Sequence, residues 1–170
     1  MKTRVIITIV FLLITMLLFA IKFPLLTISN KNNLTYKMFF ISTGIIFNLS
    51  YIHSVEKTQV IEKYIIGNGH TLILDSIIFE SQGAGLPFDY PGVNFRVSEG
   101  KFIFETINHP LKEISVMPLE ISRNSLDVYG KQINLWVLNN NTSACIIKVE
   151  QINVAGMALR IMNKILNNLW

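Results

Sequence analysis

The feature that most constrains the fold is a series of short apolar segments that recur about every 10 residues along the middle of the chain. Turn-forming residues separate them, including Gly67 to Gly69 and Asn139 to Thr142. Parallel strands need crossover connections of about a dozen residues or more, and these intervals leave no room for them. The spacing therefore predicts a mostly β protein, an antiparallel β-sandwich or barrel. The segments are residues 37–43, 45–55, 59–66, 70–79, 94–98, 101–107, 113–121, 126–130, 133–138 and 143–152.

The N-terminus has a different pattern. Val5 to Ile21 is apolar except for Thr8 and Thr15, and Lys2 and Arg4 precede it. This length is at the short end for a membrane-spanning helix, and both threonines can bond back to helix carbonyls. The pattern predicts a transmembrane helix. The alternative is a cleavable signal peptide, which shares the basic start.

The residues that follow this apolar run are too bulky for a typical signal-peptidase site, so an uncleaved anchor is favoured. We expect residues 1–24 to form the anchor and residues 25–170 to form one β-rich domain. The basic N-terminus favours a cytoplasmic start. The domain is then expected outside the cytoplasm, attached to the cytoplasmic membrane by a single pass.

The C-terminal segment, residues 157–170, has its polar residues three and four positions apart and its apolar residues between them. This periodicity predicts a short amphipathic helix. Two interpretations stay open. The helix packs on the sheet, or it lies on the membrane or a partner.

Composition excludes several classes of function. The formal net charge is +4, but the basic residues are scattered, which argues against nucleic-acid binding. The single cysteine, Cys145, allows no intramolecular disulfide. His70 and His109 have no companions at metal-ligand spacing, so we predict neither a metal site nor a cofactor.

The second and third segments pair as a hairpin when the turn is centred on Lys57 and Thr58. In this register His53 lies opposite Glu62, on the face that carries most of the apolar residues. The other opposite pairs are apolar or aromatic: Val55 with Val60, Tyr51 with Tyr64, and Leu49 with Ile66.

A second turn at Asn68 and Gly69 places Glu62 opposite Asp75. His53, Glu62 and Asp75 are thus predicted to form an ionisable row across three strands. The row is a hydrogen-bonded structural network, a site for a solute or divalent cation, or a general base oriented by carboxylates. No nucleophile stands at a recognisable spacing, so we assign no catalytic residue.

Two motifs carry a resemblance to a known family. YIHSVEKT at residues 51–58 and SQGAGLP at residues 81–87 resemble the bacterial domain-of-unknown-function family 1850, and the similarity extends from about Leu25 to about Val137. Proteins of that family are small, anchored or exported, and often encoded beside TRAP-type transporters of the TAXI class. The binding candidates come from two sources. Asp75 comes from the ionisable row. The others occupy the positions that the resemblance carries over: His53, Ser54, Glu56, Lys57, Glu62, Gly83, Ala84, Gly85, Leu86 and Pro87.

The resemblance implies a non-enzymatic accessory to solute uptake, whose partners are the membrane, transporter subunits and a small solute. Two alternatives remain. One is a hydrolase that uses His53 with Glu62 or Asp75, which requires a solvent-open cleft with shifted pKa values. The other is a structural envelope protein whose C-terminal helix binds lipid.

Overall fold

The computed structural model describes residues 2–32, 34–81, 92–138 and 143–167. Within these ranges the chain forms twelve strands and three α-helices. The helices are α1 (Lys2–Ala20), α2 (Leu135–Leu138) and α3 (Val154–Asn167). The strands are β1 (Lys22–Asn30), β2 (Thr35–Phe40), β3 (Ile46–Ile52), β4 (Gln59–Ile66), β5 (Leu72–Phe79), β6 (Asn94–Ser98), β7 (Lys101–Glu105), β8 (His109–Leu111), β9 (Glu113–Val116), β10 (Ser125–Val128), β11 (Lys131–Asn134) and β12 (Cys145–Asn153).

The strands form two antiparallel sheets. The first sheet has four strands in the order β2-β1-β12-β9, and the second has eight, in the order β11-β10-β3-β4-β5-β7-β6 with β8 paired to β5. In the first sheet, β1 and β12 from the two ends of the chain pair along their full length, and β9 from the middle of the chain pairs with β12. The other strands from the middle of the chain form the second sheet.

The two sheets share one hydrophobic core. Leu26 and Ile147 from the first sheet belong to the same buried cluster as Phe47, Val60 and Phe79 from the second. Side chains alternate between the faces of a strand, so each sheet gives one set of side chains to this core. The predicted mostly β fold is confirmed. Of the two architectures left open, the sandwich is correct, because neither sheet closes into a barrel over the described residues.

No residue of helix α1 is buried, and all except Thr15 are exposed. In the part of the chain that the structure describes, it is the one helix long and apolar enough to cross a membrane. The predicted N-terminal apolar helix is therefore present, as either a signal anchor or a signal sequence. Its end is close to the sandwich, since α1 stops at Ala20 and β1 starts at Lys22.

The predicted C-terminal helix is also present as α3, and it contacts β12 and β2. Two elements differ from the prediction. Residues 133–138 divide into the end of β11 and the short helix α2, and the short strand β8 lies between two predicted segments. His109 is the first residue of that strand.

The predicted hairpin forms, but the register that we predicted for it is wrong. In the structure, Tyr51 pairs with Val60 and Ile52 with Gln59, so the turn runs from His53 to Thr58. Val55, which was predicted to face Val60, is exposed in this turn. Phe47 and Leu49 are buried as expected, because the error is an even number of positions and leaves each side chain on its face.

Candidate functional site

The predicted ionisable row does not form. Glu62 lies between Leu49 on β3 and Ile77 on β5, and not between His53 and Asp75. The pairing of β4 with β5 shifts between Lys63 and Tyr64, an irregularity that the predicted turn at Asn68 and Gly69 did not include.

This irregularity places Asp75 on the outer face of the sheet. Its carboxylate is 3.2 Å from the ammonium group of Lys63. Lys63 follows Glu62 directly in β4, so the two side chains project from opposite faces. Asp75 therefore forms a partly exposed surface ion pair and is separated by the sheet from Glu62.

His53 and Glu62 do share an environment. Both line a cavity of about 370 Å³ that opens between the two sheets. One wall comes from β3, its turn and β4, and the other from β9 and the segment that follows it to Asn124. The lining residues are Leu49, Tyr51, Ile52, His53, Ser54, Glu62, Ile114, Ser115, Val116, Met117, Leu119, Ser122 and Asn124. We call this space the intersheet cavity.

The carboxylate of Glu62 is held by two phenols. The hydroxyl of Tyr51 donates to Oε1 at 3.0 Å, and the hydroxyl of Tyr64 donates to Oε2 at 2.5 Å. Tyr64 is 3% exposed, so this end of the arrangement is deep in the core. We call these three residues the Glu62 cradle. Strand alternation explains it, because Tyr64 and Glu62 are two positions apart on β4 and share a face.

The cradle keeps Tyr51 neutral. Burial raises the pKa of Tyr51 above its usual value of 10.0, and the charge and hydrogen bond of Glu62 raise it further. A neutral phenol is a hydrogen-bond donor to the carboxylate. The cradle thus places one acceptor group, supported by two neutral donors, at the wall of a largely apolar space.

His53 has a structural role in the turn. Its backbone N–H donates to the Thr58 carbonyl at 2.9 Å, and its carbonyl accepts from the Lys57 N–H at 3.0 Å. Its ring Nδ1 accepts from the Glu56 N–H at 3.2 Å. A neutral imidazole that accepts at Nδ1 carries its hydrogen on Nε2. His53 is buried, and its ring therefore has the tautomer of a donor and not of a general base at Nε2.

The same turn is tied to the end of β5. The hydroxyls of Thr58 and Ser81 are 3.1 Å apart, and the Ser81 hydroxyl donates to Glu56 at 3.3 Å. These contacts bring together the turn motif and the start of the second motif, SQGAGLP. Ser54 and Lys57 are exposed and linked by a bond from the Lys57 ammonium to the Ser54 carbonyl. The remaining binding candidates, Gly83, Ala84, Gly85, Leu86 and Pro87, lie outside the described residues.

Sequence reasoning missed the second wall of the intersheet cavity. Met117 and Leu119 follow β9, and Asn124 is buried and accepts a hydrogen bond from the Ser122 hydroxyl. Met117 and Leu119 are in the predicted apolar segment 113–121, but its pattern does not show which part of the chain it packs against. Only the pairing of the two sheets brings them opposite Tyr51, so no local pattern could have identified them.

A larger depression of about 860 Å³ lies on the other side of Leu119. Its lining includes Glu120, Arg123, Gln132 and Trp136, and the first three of these are exposed. Convergent buried polar groups distinguish a binding site from a surface depression. In the intersheet cavity the half-buried carboxylate of Glu62 converges with the phenols of Tyr51 and Tyr64, so it is the better candidate. Among the described residues, no group of three His, Cys, Asp or Glu is placed to hold a metal ion.

Comparison with known proteins gives one match. Residues 47–135 match the family model described as "Domain of unknown function (DUF1850)". No curated protein and no solved structure matches the chain. The matched region starts in β3 and ends in α2, so it contains β4, the turn and the second wall of the intersheet cavity.

Proposed function

The chain belongs to the DUF1850 family, and we propose that it is an anchored, non-enzymatic protein that binds a small solute in the intersheet cavity. The observation that carries this proposal is the Glu62 cradle. A carboxylate that two neutral phenols hold in place at a cavity wall is a fixed site for a positively charged or N–H-bearing group. Its rigidity lowers the entropy lost on binding.

The other residues that line the cavity indicate the chemistry of the rest of the ligand. Leu49, Ile114, Val116 and Met117 supply apolar walls, and Ser115 and Asn124 supply small polar groups. The volume of about 370 Å³ is at the low end for small-molecule sites. We therefore propose a small solute with an amine or other N–H donor at one end and an apolar body.

Binding without chemistry is favoured over hydrolysis by the state of His53. A general base needs a free lone pair directed at the reacting group. Nδ1 of His53 accepts the Glu56 N–H, and the hydrogen is then on Nε2. The Ser122 hydroxyl, on the opposite wall, has one hydrogen to donate, and both the Leu119 carbonyl and the Asn124 side-chain oxygen are within hydrogen-bonding distance of it. These contacts support turn and wall structure in place of a nucleophile and its base.

The cellular setting is part of the same proposal. We propose that α1 is retained as an anchor, that the sandwich lies outside the cytoplasm, and that it assists a TRAP-type solute transport system. The family resemblance suggests this role. Four exposed apolar side chains near the cavity support it: Val55, Met117, Leu119 and Ile121. Clustered exposed apolar residues are typical of protein contact surfaces.

The binding test uses the full chain in non-ionic detergent micelles and a panel of small amines, with the unfolding temperature as the readout. A ligand that binds the folded state raises this temperature in a concentration-dependent way. We expect the rise for the wild type and its loss in Glu62→Gln. Glu80→Gln is the matched control, because Glu80 is an exposed carboxylate at the end of the next strand. A panel without effect, or a rise that survives in Glu62→Gln, would refute the binding proposal.

The transport test compares solute uptake in cells that carry the same two variants at equal expression. We expect reduced uptake with Glu62→Gln and normal uptake with Glu80→Gln. Equal uptake with the two variants would show that the binding site is not needed for transport. Ester hydrolysis by the purified chain that disappears in His53→Ala would instead establish the hydrolase alternative.

A further inference from the structure

Helix α3 presents its polar side to the protein and its apolar side outward. Arg160 and Lys164 are partly buried on the inner side. The outer side carries apolar residues, and several are about half exposed: Leu159 at 53%, Ile161 at 47%, Met162 at 51%, Ile165 at 56% and Leu166 at 48%. A helix on the surface of a soluble domain has the opposite arrangement.

Specific contacts fix this orientation. The Arg160 guanidinium donates to both oxygens of Glu150 on β12, at 2.5 and 3.3 Å. The Lys164 ammonium donates to the Tyr36 carbonyl on β2 at 2.7 Å. Glu150 also accepts from the buried hydroxyl of Thr27 at 3.1 Å. The polar side of α3 is thus bonded directly to β12 and β2 of the first sheet, and a rotation that buried the apolar side would break the contacts of Arg160 and Lys164.

The outward apolar side begins where α1 ends. Asn153, the residue before α3, accepts the Gly156 N–H at 2.8 Å through its side-chain oxygen and so caps the helix. Its side-chain nitrogen donates to the Phe19 carbonyl at 3.0 Å, in the last turn of α1. One side chain therefore joins the start of α3 to the end of the apolar helix, and the exposed apolar surfaces of α1 and α3 adjoin.

We propose that α3 is an interfacial membrane helix, whose outer apolar side lies in the headgroup region of the lipid bilayer that α1 enters. Lipid is the partner that matches both surfaces, because α1 is exposed and apolar on every side from Val5 onward, as a membrane-spanning helix is, and the apolar side of α3 adjoins it. The charge near this surface agrees with an anionic lipid headgroup, because α3 contains no acidic residue and Lys22 is exposed at the base of α1.

The proposal predicts a pattern of lipid contact along α3. In full-length protein reconstituted into phosphatidylcholine and phosphatidylglycerol vesicles, a fluorophore is attached to a cysteine that replaces Met162, Asn163 or Val97, one at a time. The native Cys145 is fully buried, so it does not compete for the label. Position 163 is the matched control, since Asn163 is exposed on the flank of the same helix, and Val97 reports on an exposed edge of the second sheet.

We expect a lipid-borne nitroxide to quench the label at position 162 strongly, position 163 weakly and position 97 little. Aqueous iodide should give the reverse order. Equal lipid quenching at 162 and 163, or none at 162, would overturn the proposal. Protection of position 162 from iodide without lipid quenching would also overturn it, because a second protein copy would then cover the helix. Substitutions of exposed residues leave the packing of the sandwich unchanged, so each outcome can be interpreted.

Discussion

Replacement of Glu62 by alanine removes the carboxylate that accepts hydrogen bonds from Tyr51 and Tyr64. Each hydrogen bond to a charged group stabilises a protein by roughly 1.5–3 kcal/mol, and Glu62 accepts two of them. Because Glu62 is only half-buried, water replaces part of this stabilisation when the carboxylate is removed. We therefore expect Glu62→Ala to lower the free energy of unfolding by about 2–4 kcal/mol. For a chain of this size, that corresponds to a fall in the unfolding midpoint of about 5–15 °C.

The assay is thermal and urea unfolding of the full chain in non-ionic detergent, followed by circular dichroism in the strand region. Glu80→Ala is the matched control, because an exposed carboxylate should change stability by no more than about 0.5 kcal/mol. A double-mutant cycle with Tyr51→Phe isolates the interaction between Tyr51 and Glu62 from the other effects of the two substitutions. We expect a coupling energy of roughly 1 kcal/mol or more. If Glu62→Ala unfolds at the same midpoint as Glu80→Ala, the cradle does not stabilise the fold and our reasoning is refuted.

Three further predictions concern titration and reactivity. The pKa of Tyr51 is raised in the folded state, so the unfolded chain ionises first and stability should decline as the pH rises above about 10; Tyr51→Phe should reduce this decline in urea midpoints between pH 9 and 11. Burial raises the pKa of Glu150, but the bonds from Arg160 and Lys148 outweigh it and hold the value below 4.5. The resulting stability is present above that pH and lost as the pH falls through the lower folded value, so Glu150→Gln should flatten the acid limb of the stability profile. Burial raises the pKa of the Cys145 thiol to about 11, so iodoacetamide at pH 8 should modify it only after unfolding, as mass spectrometry would show.

The sequence was most informative where burial follows the strand period. Phe47, Leu49, Val60 and Tyr64 alternate with less buried residues, and each is on the face that the alternation predicted. The helices at the two ends of the chain were equally clear in the sequence, since α1 has a continuous apolar run and α3 has a helical period. Fold class therefore followed from patterns that depend on local geometry.

Register did not follow from the same patterns. Val55 opposite Val60 is a favourable apolar pair, and nothing in the hydrophobic pattern argues against it. The actual turn is longer at its start, because the ring and backbone of His53 bond to residues three to five positions ahead. A side-chain bond within a turn leaves no trace in hydropathy. The prediction consequently placed His53 in a strand, where the structure has it open the turn.

The candidate site was only half accessible to prediction for the same reason. Glu62 was identified because it is a charged residue in an apolar strand, and Asp75 was assigned to the same face because a β-irregularity cannot be read from composition. Met117 and Asn124 come from a segment that is distant in sequence. Long-range packing of one sheet on the other, and not any local motif, makes them part of the cavity.

The junction between α1 and β1 has a mechanical consequence under the anchoring proposed above. A single residue, Ile21, separates the helix from the first strand, and the Asn153 side chain clamps the same corner to α3. A flexible tether would let the domain sweep a volume of solution, whereas this joint transmits the tilt of the helix directly to the sandwich. The opening of the intersheet cavity would then stay at a fixed distance from the bilayer and in a fixed orientation relative to it. A partner would then meet it by diffusing laterally in the membrane plane and arriving in the correct orientation.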